Sequence, residues 1–143
     1  MENENKTPLD TVRLAEVAAI YDKEMTEEKA QMLFEKWVNI LDLGSWNIHF
    51  EWSVKEKDMP EEDTTGYTQY LHTKKQAIIT MLDPADFEID NEYFNYDYEQ
   101  TLVHELLHLK FSDIEDSENE LQNKLLHQLI DSLAKSFIKV KEL

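Results

Sequence analysis

A chain of 143 residues with 41% hydrophobic content, 6 Phe, 6 Tyr and 3 Trp is long enough to close a hydrophobic core and too short for several, so one domain over residues 1–143 is expected. The absence of cysteine excludes disulfides and thiolate metal sites, leaving His, carboxylate or backbone groups to hold any ion. With 31 acids against 14 bases, the net charge of −17 repels phosphate backbones and argues against nucleic-acid binding.

The acids are spread along the chain, where they serve solubility or present an acidic surface to a basic protein partner. Met1-Glu2-Asn3-Glu4-Asn5 has neither the basic nor the apolar region of a secretory signal, and no apolar run approaches the ~20 residues of a membrane span. A cytoplasmic protein with no membrane contact is the expectation.

Residues 1–7 read as a flexible polar leader. Thr7-Pro8-Leu9 then has the form of a helix entry, and Leu9, Val12, Leu14, Val17, Ala18 and Tyr21 follow close to helical spacing. A second helix starts at Thr26, where a capping hydroxyl precedes Glu27 and Glu28, and runs through Leu33, Phe34, Trp37 and Leu41, with Gly44 as its terminator.

At Trp46 the apolar period changes to two. Trp46, Ile48, Phe50, Trp52 and Val54 alternate with polar residues, as in a strand buried on one face. The charged stretch 55–63, with Pro60, is a connection, and 66–73 and 76–82 are two further strands joined at Lys74-Lys75. Asp83-Pro84 ends the sheet, and a loop rich in Tyr and acids leads to a helix from about Asp97 to Phe111. A last helix runs from about Ser117 to Val140, Ser117 and Glu120 having the spacing of a capping box. The expected fold is α+β, with N-terminal helices, a small, mostly antiparallel three-stranded sheet, and two C-terminal helices packed on it.

The chemistry concentrates in His104-Glu105-Leu106-Leu107-His108. Residues four apart on a helix share a face, so both imidazoles can reach one ion, and Glu105 stands beside them. Imidazole pairs of this spacing bind Zn2+, and the Glu can act as general base on a zinc-bound water. Leu102, Val103, Leu106, Leu107, Leu109 and Phe111 surround these three residues, so an unpartnered His-Glu-His set here would be costly and an ion would offset the cost. The competing account places the three on the one wet stripe of an amphipathic helix.

A zinc site needs a third protein ligand. An antiparallel hairpin of the last two helices turning at 114–116 sets His104 opposite about residue 126, which points to His127, with Asp131 one turn on as an acceptor for a neighbouring imidazole. Glu118, Glu120 and Asp113 are the alternatives, and His127 also belongs to a polar stripe with Glu120, Lys124, Asp131 and Lys135. His49 and His72 read as solvated. One of Tyr93, Tyr96 and Tyr98 could bring a phenol to the ion, although a loop tyrosine more often caps the core.

Trp46 with its alternating strand, Ala77-Ile78-Ile79-Thr80-Met81, Thr101 to Leu109 with the His-Glu-x-x-His motif, and Ile130 to Phe137 together resemble the small metallopeptidase-like proteins of the zincin superfamily found in phages and mobile elements. The resemblance covers about residues 46–138, and only the zinc motif and its flanks are specific. It implies a minimal zincin-like domain that hydrolyses a peptide or protein substrate, with Zn2+ on His104 and His108 and Glu105 activating water. The third ligand would come from the closing helix; family members commonly place a carboxylate there, where this chain has His127. It also implies that residues 76–82 form the edge strand along which peptide binds. A catalytically silent relative serving as an acidic interaction module is the alternative.

Overall fold

The computed structural model describes residues 25–87, 96–115 and 118–141. The leader, the expected helix from Leu9 to Tyr21, Tyr93 and Ser117 lie outside the described residues.

Helix α1 spans Glu27–Ile40 and begins where expected. Thr26 is extended and its Oγ1 accepts the Lys29 N–H at 3.2 Å, while Glu27 and Glu28 sit at the positive end of the helix dipole. The helix does not end on Gly44. Asp42 takes the left-handed turn at φ 54°, its N–H bonded to the Asn39 carbonyl at 3.1 Å and the Leu43 N–H to the Val38 carbonyl at 2.9 Å. Aspartate tolerates that conformation better than most residues, so the last carbonyls are satisfied before the glycine is reached.

The three strands are β1 (Asn47–Val54), β2 (Gly66–Leu71) and β3 (Gln76–Leu82), in the order β1-β3-β2. β2 and β3 form the expected antiparallel hairpin, closed by Lys75 at φ 53°. β1, however, runs parallel to β3, with Ile48 beside Ala77 and Phe50 beside Ile79, so the sheet is mixed rather than mostly antiparallel. The cause is burial. β3 is the most apolar strand, with Ala77, Ile79, Met81 and Leu82 buried, and only the central position pairs its backbone on both sides. Residues 55–65 carry the chain across its end to the far edge.

By this register Ile48 and Phe50, Ala77, Ile79 and Met81, and Gly66, Thr68 and Tyr70 share one face of the sheet. The helices cover that face. Phe34 of α1 stacks on Phe50, ring centroids 4.5 Å apart. Helix α2 (Tyr98–Lys110) begins at Asp97, whose carboxylate accepts the Gln100 N–H at 3.0 Å, and buries Leu102, Val103, Leu106, Leu107 and Leu109. Helix α3 (Glu120–Lys141) begins with Asn119 Oδ1 accepting the Gln122 N–H at 3.0 Å and buries Leu126, Ile130, Ala134 and Ile138, one residue per turn. α3 runs antiparallel to α2: His127 lies beside His108, Asp131 beside His104 and Lys141 beside Glu99. The fold is α+β, and none of its described helices is long and apolar enough to cross a membrane.

Glu99 ties three helices together. Its buried carboxylate accepts bonds from Trp37 Nε1 at 2.6 Å, Lys36 Nζ at 3.1 Å and Lys141 Nζ. Burial alone would raise its pKa, but the bonds from Lys141, Trp37 and Lys36 outweigh it and hold the carboxyl below its ordinary 4.5. A depressed carboxylate stabilises the fold at neutral pH and loses that contribution as pH falls through the folded value. Glu99→Ala, which strands the Trp37 N–H in the core, is expected to cost about 2–3 kcal/mol at pH 7 in urea unfolding, with the deficit shrinking in acid.

Candidate metal centre

Helix α2 turns His104, Glu105 and His108 toward α3 and β2, and α3 returns His127 to meet them. The three imidazoles each offer a ring nitrogen within 4.8 Å of the others, with centroids 5.2 Å apart for His104 and His108 and 4.7 Å for His108 and His127. A tetrahedral ion with bonds of about 2.0–2.1 Å would hold such nitrogens roughly 3.4 Å apart, somewhat closer than the 4.8 Å limit within which they lie here. Three imidazoles and an open fourth position suit zinc chemically. The hairpin register differs from the expected one by about a turn: His127 faces His108, and Asp131 faces His104.

His108 is held by a residue that sequence reasoning missed. Glu115, in the loop between α2 and α3, accepts from His108 Nδ1 at 2.5 Å, and its other oxygen accepts the Tyr70 hydroxyl. With the proton on Nδ1, Nε2 keeps its lone pair for an ion, and the ring orientation is set. Burial would raise the Glu115 pKa, yet the bonds from His108 and Tyr70 hold it below the ordinary carboxylate value. Asp131, expected to orient an imidazole, lies 3.7 Å from His104 Nδ1, beyond hydrogen-bond reach. The His104 imidazole is driven to about 4 by burial first and then by His108, so in the ion-free protein it is neutral at pH 7.

Glu105 is 7% exposed and accepts from Thr68 Oγ1 of β2 at 2.6 Å. Burial raises its pKa, and the Thr68 bond offsets part of the rise. Gly66 makes room for it. A Cβ there would stand 2.8 Å from Thr101 Cγ2 and 2.9 Å from Glu105 Cγ, closer than real Cβ contacts come. The one legible signal was a glycine at a strand position in a chain with only 2. Gly66→Ala is expected to cost about 1–3 kcal/mol through overpacking and to displace Glu105 while sparing the three histidines. Any metal bound by the histidines should stay unchanged in elemental analysis, while a reaction that depends on the placement of Glu105 would fall by roughly a hundredfold.

The remaining candidates fall elsewhere. Asp113 pairs with His72 Nε2 at 2.7 Å, and His72 Nδ1 lies 2.8 Å from Ser112 Oγ, so neither joins the cluster. Glu118 and Glu120 are exposed at the start of α3, and His49 is exposed on β1. Tyr96 and Tyr98 belong to the core, their hydroxyls donating to the carbonyls of Leu82 at 2.8 Å and Trp52 at 2.6 Å. The phenols at the site are Tyr67 and Tyr70 of β2, which line one cleft with the three histidines, Glu105 and Glu115; Tyr70 is the one bonded to Glu115.

The expectation that residues 76–82 form a free edge is overturned, because β3 is paired on both sides. Among the described residues the open sheet edge beside α2 is β2. The Leu82 N–H bonds the Thr65 carbonyl at 2.9 Å, and the alternation of an antiparallel ladder then turns the backbone groups of Gly66, Thr68 and Tyr70 away from β3, toward the open edge. No family model, no curated protein and no solved structure matches the chain.

Proposed function

We propose that this chain is a zinc-dependent metallopeptidase of zincin type, with His104, His108 and His127 as ligands and Glu105 as general base. The observation that carries the proposal is the convergence of three imidazoles from two helices on one point beside a buried glutamate, in a cleft below the open edge of β2. A zinc ion bound there would polarise a peptide carbonyl and lower the pKa of a water.

The chain's own residues supply the rest. The outward backbone groups of Gly66, Thr68 and Tyr70 pair with an extended peptide added as a fourth strand and draw its carbonyl past the histidines. Glu105, steadied by Thr68, takes a proton from the attacking water and delivers it to the leaving amine. Glu115 keeps His108 in its liganding orientation.

The test is metal analysis on protein purified without chelator or histidine tag, followed by cleavage of a mixed peptide library. About one zinc per chain and library cleavage that stops on chelation are expected. Absence of metal removes the proposal; zinc without cleavage leaves a catalytically silent module that binds a basic protein through its acidic surface.

A further inference from the structure

Two adjoining clefts flank the three histidines, and their walls carry one sign of charge. The cleft on the His104 side, of about 290 Å³, is lined by Asp63 and Asp131 together with Thr64, Thr65, Gln100 and Thr101. The cleft on the His127 side adds Glu61 and Glu115. Among the described residues no Lys or Arg lines either one, and no large apolar side chain lines the first.

These carboxylates are not equally committed. Glu115 is occupied by His108 and Tyr70. Asp63, held in a left-handed turn at φ 58°, and Glu61 form no ion pair among the described residues. Asp131 meets Lys135 one turn away at 3.1 Å, and both side chains are more than half exposed, a pairing weak enough for an incoming cation to share or displace. Asp63 comes from the connection into β2 and Asp131 from α3, so the two face one cleft from opposite elements beside His104.

We propose that this cleft is a subsite for a cationic side chain: the substrate is a peptide with Lys or Arg next to the scissile bond, its head group received by Asp63 and Asp131 and by the threonine hydroxyls. The assignment of the cleft as a substrate site rests on the peptidase proposal; the choice of substrate rests on the wall. An apolar side chain would find no large apolar residue to pack on there, and an acidic one would meet Asp63 and Asp131 as well as Glu105. A guanidinium or ammonium finds the Asp63 and Asp131 carboxylates, hydroxyl and amide oxygens to accept its N–H groups, and no Lys or Arg to repel it.

The experiment uses the zinc-loaded Glu105→Gln protein as a trap and measures binding of labelled peptides by fluorescence anisotropy at physiological salt. The peptides are identical except for Lys, Arg, Leu or Glu at the positions flanking the central bond. Lys and Arg peptides are expected to bind about tenfold more tightly than the Leu peptide, and the Glu peptide more weakly still. Adding Asp63→Asn and Asp131→Asn should remove most of that preference. Glu27→Gln with Glu28→Gln, the same charge change on the first turn of α1, should leave it intact.

Equal binding of Lys and Leu peptides overturns the subsite, as does a preference that falls equally in the α1 control, which would mark it as bulk attraction to a chain of net charge −17. The two proposals fail separately. Cleavage by the unmodified protein with no cationic preference sinks the subsite and keeps the peptidase; a site-dependent cationic preference without cleavage sinks the peptidase and keeps the cleft as a binding site for cationic side chains only.

Discussion

On the proposed peptidase mechanism, Glu105→Gln should leave zinc content at about one ion per chain and lower peptide hydrolysis by roughly 10²–10⁴-fold. The substitution is nearly isosteric, and the amide oxygen can still accept the Thr68 hydroxyl bond that the carboxylate accepts at 2.6 Å, so helix and strand keep their contact. None of the three imidazoles changes. What disappears is the basic oxygen that takes the proton from water. Loss of both metal and activity would make Glu105 a structural member of the site, and cleavage at the original rate would remove it from the mechanism altogether.

If the proposed three-histidine site holds zinc, His127→Ala should abolish stoichiometric binding at micromolar metal while leaving the fold in place. His127 lies on the exposed face of α3, away from Leu126 and Ile130 in the core, so its removal opens no internal cavity. The consequence can be read without any substrate. An ion present at a hundred times its dissociation constant stabilises the folded state by about 2.7 kcal/mol, so zinc should raise the melting temperature of the unaltered protein and barely move that of the variant. His72→Ala is the control, because His72 is engaged by Ser112 and Asp113, and its zinc response should match that of the unaltered chain. An unchanged zinc response in His127→Ala would mean that the third ligand is another residue.

Parts of this molecule were legible locally because local physics decides them. Thr26 and Asp97 cap helices because a side-chain oxygen beside unpaired N–H groups satisfies them wherever the helix lies. The alternation from Trp46 to Val54 marks a half-buried strand for the same kind of reason: its side chains must point alternately to two faces. The four-residue spacing of His104 and His108 puts them on one helical face before any packing is known. His127 was reachable through hairpin arithmetic, although the register came out a turn away, since the loop that sets it carries no periodic signal.

Helix geometry and the alphabet of side chains thus determined two histidines with a glutamate, the class of fold and the acidity of the surface. Only the tertiary structure decided that β3 is central and β2 the open edge, because strand order depends on which strand gains most from burial on both sides, a comparison among segments rather than a property of one. It also decided that Glu115 and Tyr70, 45 positions apart, meet at His108, and that Gly66 leaves the space Glu105 occupies. Contacts between residues so distant in the chain have no period or spacing to betray them; they exist once the sheet face and the helical hairpin have closed on each other.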